Sequence, residues 1–207
     1  MLELSSKRPK YSNNARIRLK KEAIYNHFLS KARMDRFFTG NVKYCGLSSV
    51  FFDRIFLLAY PLICDALVFE NDPDLIGAVK EHIANINSSD MSNFINEIKF
   101  FGRNIFDLEL HQGNKYGLVD LDSNQLTSYG GCKDIYELVR NHADDRCLVS
   151  IWNAVGMKGL KFEEQQRFMK EIVIDKLNEE YQVSKEEMTY DDTSLMYVCV
   201  LRLQRRV

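Results

Sequence analysis

Carboxylates at the ends of apolar runs are the residues of this chain best placed to do chemistry. "DALVFE" ends on Glu70, with Asn71 and Asp72 directly after it, and "KYGLVDLD" ends on Asp120 and Asp122. Strand alternation puts Asp120 and Asp122 on one face. Such a pair can hold a ligand group, act as a base, or simply end the strand. A lone carboxylate such as Glu70 can accept two hydrogen bonds from a vicinal diol. At the end of a second parallel strand, about twenty-five residues after the first strand's loop, it stands where the ribose of a nucleoside is commonly gripped. Between these two segments "GRNIFD" brings Asn104 and Asp107 within reach of a base edge. Upstream, "YCGLSS" offers Gly46 for close backbone approach, with Ser48 and Ser49 as helix-starting residues.

These residues need a scaffold that collects strand ends, and the chain supplies one. From Ala15 to Phe38 the spacing of Ile17, Ile24, Phe28 and Ala32 predicts a helix, stopped by Thr39-Gly40-Asn41. "NVKYCGLS" reads as a strand and "SVFFDRIFLLAYPLI" as a helix. "DALVFE" is again a strand. "DPDLIGAVKEHIANI" is a helix that Asp72 can cap, with Pro73 in its first turn and Asp74 at the positive end of the dipole. "EIKFF" is a strand with a loop beyond it, "KYGLVDLD" a strand, "CKDIYELVRNHA" a helix and "RCLVSIWNAVG" a strand. The long amphipathic helix "KFEEQQRFMKEIVIDKLNEEY" precedes a closing strand, "SLMYVCVLRLQ". Repeated alternation of this kind calls for a mostly parallel sheet with helices on both faces, an α/β three-layer sandwich. Continuous apolar runs fit strands covered on both sides. Ligands of such sheets sit beyond the carboxyl ends of the strands, at the switch in strand order. Trp152 is expected in the core, and His111, in a polar stretch, on an exposed loop.

Charge divides the chain. Residues 1–43 hold 11 Lys/Arg and three Asp/Glu, while the remainder holds 17 against 26, so a basic arm precedes an acidic body. Arg16, Arg18, Lys20 and Lys21 lie within two helical turns and suit a polyanion such as nucleic acid. The five cysteines are well separated, no CxxC or HExxH occurs, and the chain opens on a polar stretch. A reducing compartment, no structural metal, no membrane span and a soluble, cytoplasmic protein are therefore expected.

The order "YCGLSS", "LVFEND", "GRNIFD", "YGLVDLD", "CLVSIWNAVGMKG" resembles the class I S-adenosylmethionine-dependent methyltransferases, over about residues 41–204. The resemblance implies a Rossmann-like domain over residues 41–207, preceded by a basic helical extension over residues 1–40. It also implies S-adenosylmethionine as cofactor and methyl transfer as the activity, with nucleic acid as a candidate acceptor. By position it implies that Cys45, Gly46, Leu47 and Ser48 hold the methionine part and Glu70 with Asn71 the ribose. Asn104, Ile105 and Phe106 would frame adenine, and Asp120 and Asp122 would face the acceptor as catalytic residues. The family's G-x-G-x-G is reduced here to one glycine, and "DLDSNQ" stands where amino methyltransferases carry D/N-P-P-Y/F. A catalytically silent binding module of the same build is accordingly a second expectation. A third rests on Pro73-Asp74 and Glu97-Ile98-Lys99, which spell the PD…ExK pattern of magnesium-dependent nucleases.

Overall fold

The computed structural model describes residues 15–47, 62–87, 97–122, 128–155, 161–191 and 195–207. The expected helix over "SVFFDRIFLLAYPLI", and Ser48 with it, lies outside the described residues. Helix α1 (Ala15–Met34) is built from good helix formers, and its inward stripe runs Lys21, Tyr25, Phe28, Leu29, Ala32 at helical spacing. It stops earlier than its periodicity suggests. Arg36 takes a left-handed conformation (φ 50°), and the Phe37 N–H reaches back to the Ala32 carbonyl at 2.8 Å, a Schellman-type ending.

Among the described residues seven strands follow: β1 (Val42–Gly46), β2 (Ile63–Phe69), β3 (Glu97–Phe101), β4 (Tyr116–Asp122), β5 (Ala143–Ala154), β6 (Tyr181–Asp191) and β7 (Leu195–Arg205). Their order in the sheet is β3-β2-β1-β4-β5-β7-β6, and β7 alone runs antiparallel to its neighbours. The chain therefore leaves β1 on one side for β2 and β3, then returns to β1's other side with β4. In sheets of this topology ligands bind at that reversal, outside the carboxyl ends of β1 and β4. The mostly parallel sheet covered on both faces is as the sequence implies.

Alternation along the strands sorts the core into two layers. Tyr44, Val68, Leu118, Leu148, Trp152 and Val198 meet α1 and helix α2 (Pro73–Asn87) on one face. Cys45, Phe69, Val119, Val149 and Cys199 meet helix α3 (Tyr129–His142) and helix α4 on the other. Helix α4 begins as Phe162–Phe168, widens into a π-helical stretch over Met169–Ile174 and closes with Asp175–Leu177. Helix starts follow local chemistry. Asp72 accepts from the Asp74 N–H at 3.0 Å with Pro73 at the first helical position. Ser128 accepts from the Gly131 N–H at 3.1 Å.

One element was not foreseen. The segment after α4 is charged enough, "QVSKEEMTYD", to read as loop, yet it forms the eleven-residue edge strand β6. Charges on an edge strand deter pairing with other chains, so this composition suits its place.

Candidate functional site

The carboxyl ends of β1, β2 and β4 and the segment after β3 gather the expected residues. Asp120 is fully buried on the α1 face. Its Oδ1 accepts from Ser150 Oγ at 2.5 Å, from Trp152 Nε1 at 3.1 Å and from the Tyr25 hydroxyl; the Tyr44 hydroxyl lies 3.4 Å from Oδ2. Register explains the gathering: Asp120 pairs with Gly46 on one side and with Ser150 on the other, and Asp122 pairs with Trp152. Burial pushes the Asp120 carboxyl up to about 6, against the hydrogen bonds from Ser150 and Tyr25 that pull it down. Asp122, on the same face but partly exposed, is ion-paired with Lys21. Burial opposes the charge on Lys21, and Asp122 beside it nonetheless holds the ammonium above its ordinary range. The ammonium lies 5.6 Å from the Trp152 ring, and Tyr25 packs on the same indole at 4.7 Å. Of the two carboxylates, Asp120 is thus saturated with donors, and Asp122 stands at the strand's exposed end.

Glu70 is 7% exposed, and its carboxylate accepts from the Asp72 N–H at 2.9 Å. Burial raises its pKa, and the N–H groups of Asp72 and Asn71 oppose the rise. So Glu70 braces the turn into α2 as well as ending β2, while Asp72 caps the helix itself. The Glu70 N–H also donates to Phe101 O at 3.1 Å, which ties the ends of β2 and β3 together. Asn71 is exposed beside it.

At β1 the Leu47 N–H donates to Asp120 O at 2.9 Å, joining the loop to β4. Gly46 is obligatory for a reason that the sequence does not display. A Cβ there would lie 2.0 Å from the Tyr44 hydroxyl, whose ring crosses the glycine on its way to Asp120. Cys45 is buried on the opposite face, and burial pushes its thiol well above the usual range; only its backbone is available to a ligand above Gly46.

After β3, Asn104 is exposed and its Oδ1 accepts from the Phe106 N–H at 3.1 Å. Ile105 is fully buried, and Phe106 is half-buried against the α3–α4 side of the core. His111 is not on an exposed loop: it is fully buried, with one ring nitrogen 2.7 Å from Ile105 O and the other 2.8 Å from the Tyr116 hydroxyl. The backbones of Arg16 and Arg18 lie in α1, but their side chains are outside what the structure describes. Lys20 is half-buried, and Lys21 turns inward to Asp122.

The nuclease residues do not converge. Asp74 sits at the start of α2, exposed, while Glu97 and Lys99 lie on β3 and pair with each other at 3.1 Å. Among the described residues no group of three His, Cys, Asp or Glu is placed to hold a metal ion. No described helix is long and apolar enough to cross a membrane. Sequence reasoning missed Tyr25, Tyr44, Ser150 and Lys21 as partners of the β4 carboxylates. The one available signal was Ser150-x-Trp152, whose spacing matches Asp120-x-Asp122 on the adjacent strand.

No family model and no curated protein matches the chain. Solved structures do. The N-methyltransferase NodS from Bradyrhizobium japonicum, in complex with S-adenosyl-l-homocysteine, superposes with a TM-score of 0.62 at 11% identity, covering 97% of this chain and 94% of its own. Magnesium protoporphyrin IX methyltransferase from Synechocystis, with bound SAM, gives 0.58 at 11% identity, covering 91% and 81%. A putative rRNA-methylase from Clostridium thermocellum gives 0.58 at 10%, covering 87% and 96%. The chain has the class I methyltransferase fold.

Proposed function

We propose that the chain binds S-adenosylmethionine at the carboxyl ends of β1, β2 and β3 and transfers its methyl group to a nitrogen acceptor at the end of β4. The observation that carries this reading is Glu70. A buried carboxylate braced by backbone N–H groups directly follows β2, next to β1, at which the strand order reverses, in a fold whose solved neighbours include structures with bound SAM and S-adenosyl-l-homocysteine. S-adenosylmethionine supplies an electrophilic methyl group on a sulfonium centre. Glu70 would accept from the ribose hydroxyls, the segment Asn104–Phe106 would hold the base, and the backbone of Gly46 and Leu47 would hold the methionine part. Asp122 stabilises the positive charge that develops on an attacking nitrogen, and then takes up or relays the proton released. Asp120 holds Tyr25, Ser150 and Trp152 in place around it. Asp122 is paired with the Lys21 ammonium, so the acceptor class follows from proton transfer and not from net charge: an amine or a base nitrogen releases a proton that Asp122 can take up. The basic segment before and within α1 favours presentation of that nitrogen by a nucleic acid. These assignments make a nucleic-acid methyltransferase the working identity.

Calorimetry with S-adenosyl-l-homocysteine tests the reading. Wild type and Glu97→Ala should bind alike, and Glu70→Ala should bind about ten- to a hundredfold more weakly, the worth of a charge-assisted pair of about 1.5–3 kcal/mol. One observation favours a second reading, the silent binding module: the Tyr44 phenol lies over Gly46, one of the residues assigned to the methionine part. Absence of binding at millimolar ligand by a folded wild type would select it.

A further inference from the structure

We propose that His111 is a positioning residue that sets the shape of the segment after β3 and, through Phe69, the placement of Glu70. The crossover from β3 to β4 spans residues 102–115 and contains only one short 3-10 turn, Leu108–His111. It contains no α-helix, so its buried polar groups depend on turn and side-chain partners. Asn104 serves two of them, accepting from Phe106 N–H through its side chain and from Asp107 N–H (3.1 Å) through its carbonyl. Ile105 is buried, and its carbonyl is served by His111.

The chemistry fixes the state of the ring. A carbonyl can only accept, so His111 Nε2 carries the proton, and in the neutral ring Nδ1 accepts from the Tyr116 hydroxyl. Burial lowers the His111 pKa, and the His142 ring 5.2 Å away acts in the same direction. The Ile105 carbonyl and Asp107 oppose it. The ring is also a stacking partner: it lies 5.0 Å from Phe69, nearly parallel, and Phe69 stacks on Phe101 at 5.1 Å. Phe69 directly precedes Glu70, and Phe101 directly precedes Gly102. A single buried imidazole thus touches both the segment proposed to hold the ribose and the segment proposed to hold the base. The ligand assignment rests on the methyltransferase reading; the mechanical coupling does not.

Two variants separate the possibilities. His111→Phe keeps the stacking ring and removes both hydrogen bonds. Tyr116→Phe removes only the hydroxyl that Nδ1 accepts from. In the ligand-free protein, amide exchange at Phe106, Asp107 and Asp72 should accelerate at least tenfold in His111→Phe and by less in Tyr116→Phe, with Cys199 in β7 unchanged. The affinity for S-adenosyl-l-homocysteine should fall at least tenfold in His111→Phe. In wild type, the ligand should slow exchange of the His111 Nε2 proton. Wild-type exchange at Phe106 and Asp107 in His111→Phe overturns the proposal, as does an equal acceleration at Cys199. If His111→Phe does not fold, Tyr116→Phe and nitrogen-15 spectra of the wild-type imidazole decide it. A ring protonated on Nδ1 rather than Nε2 refutes the lock. A wild type that takes no ligand removes the methyltransferase reading, and the exchange rates of the free protein still decide this one.

Discussion

Replacing Asp120 by Asn should leave the fold intact and remove a specific part of the pH dependence of stability. Three donors converge on Oδ1, from Tyr25, Ser150 and Trp152, and among the described residues Oδ2 faces the Tyr44 hydroxyl at 3.4 Å. An Asn carbonyl can keep the three donors, and its NH2 can donate to the Tyr44 oxygen. Asp120→Asn therefore imitates the protonated carboxyl. The folded-state pKa of about 6 lies above the ordinary 3.8 because of burial. The native state thus binds the proton more tightly than the unfolded chain does. The resulting stabilisation is full below the unfolded pKa and is lost as pH rises through about 6. The whole shift corresponds to about 3 kcal/mol, and the part falling between about pH 5 and about pH 7.5 to about 1.4 kcal/mol. Urea denaturation of both proteins at those two pH values measures it: relative to Asp120→Asn, wild type should lose about 1.4 kcal/mol on going to the higher pH. By contrast Asp120→Ala leaves three buried donors without an acceptor, at about 1–3 kcal/mol each, and should be destabilised at every pH. Parallel stability curves for wild type and Asp120→Asn would refute this reasoning, because they would mean that Asp120 stays ionised at little cost.

Further outcomes are expected elsewhere. Gly46→Ala drives a methyl into the Tyr44 hydroxyl and should cost about 1–3 kcal/mol by thermal melting, and much less when it is introduced into a Tyr44→Ala protein and compared with Tyr44→Ala alone. Removing residues 1–14, which carry Lys7, Arg8 and Lys10, should flatten the salt dependence of nucleic-acid binding by up to about 0.9 in log–log slope for each phosphate no longer neutralised; an unaltered slope argues against a role for those residues in holding phosphate. Extending the deletion to residue 36 strips Phe28, Leu29 and Ala32 from the core. At about 1.5–3 kcal/mol for each of the two larger side chains, this takes much of a typical domain's stability, and circular dichroism should show a protein no longer cooperatively folded.

Much of this protein follows from residues close together in sequence. Pro73 and Asp72 start α2, apolar runs of strand length alternate with helical periodicity, and Glu70 and Asp120 fall at strand ends; each is a local pattern. From such patterns the parallel sheet, its helical layers and the acids at its rim could be inferred without coordinates. Other features depend on partners far apart in the chain. Lys21 reads as a surface position of a basic helix and Tyr25 as a flank of its apolar face until α1 is laid on the sheet, where they meet Asp122 and Asp120. Tyr44 reads as a strand residue until its ring is seen crossing Gly46. His111 reads as loop because polar residues surround it in sequence, whereas in space it is enclosed by Phe69, Tyr116 and Ile105. Strand β6 carries the charges of a loop because an edge strand needs only one apolar face and is protected by polar residues on the other. Secondary structure is written in short-range periodicity and capping. Which carboxylate is buried, which is open and what closes over them are set by strand register and helix docking, which only the assembled core decides.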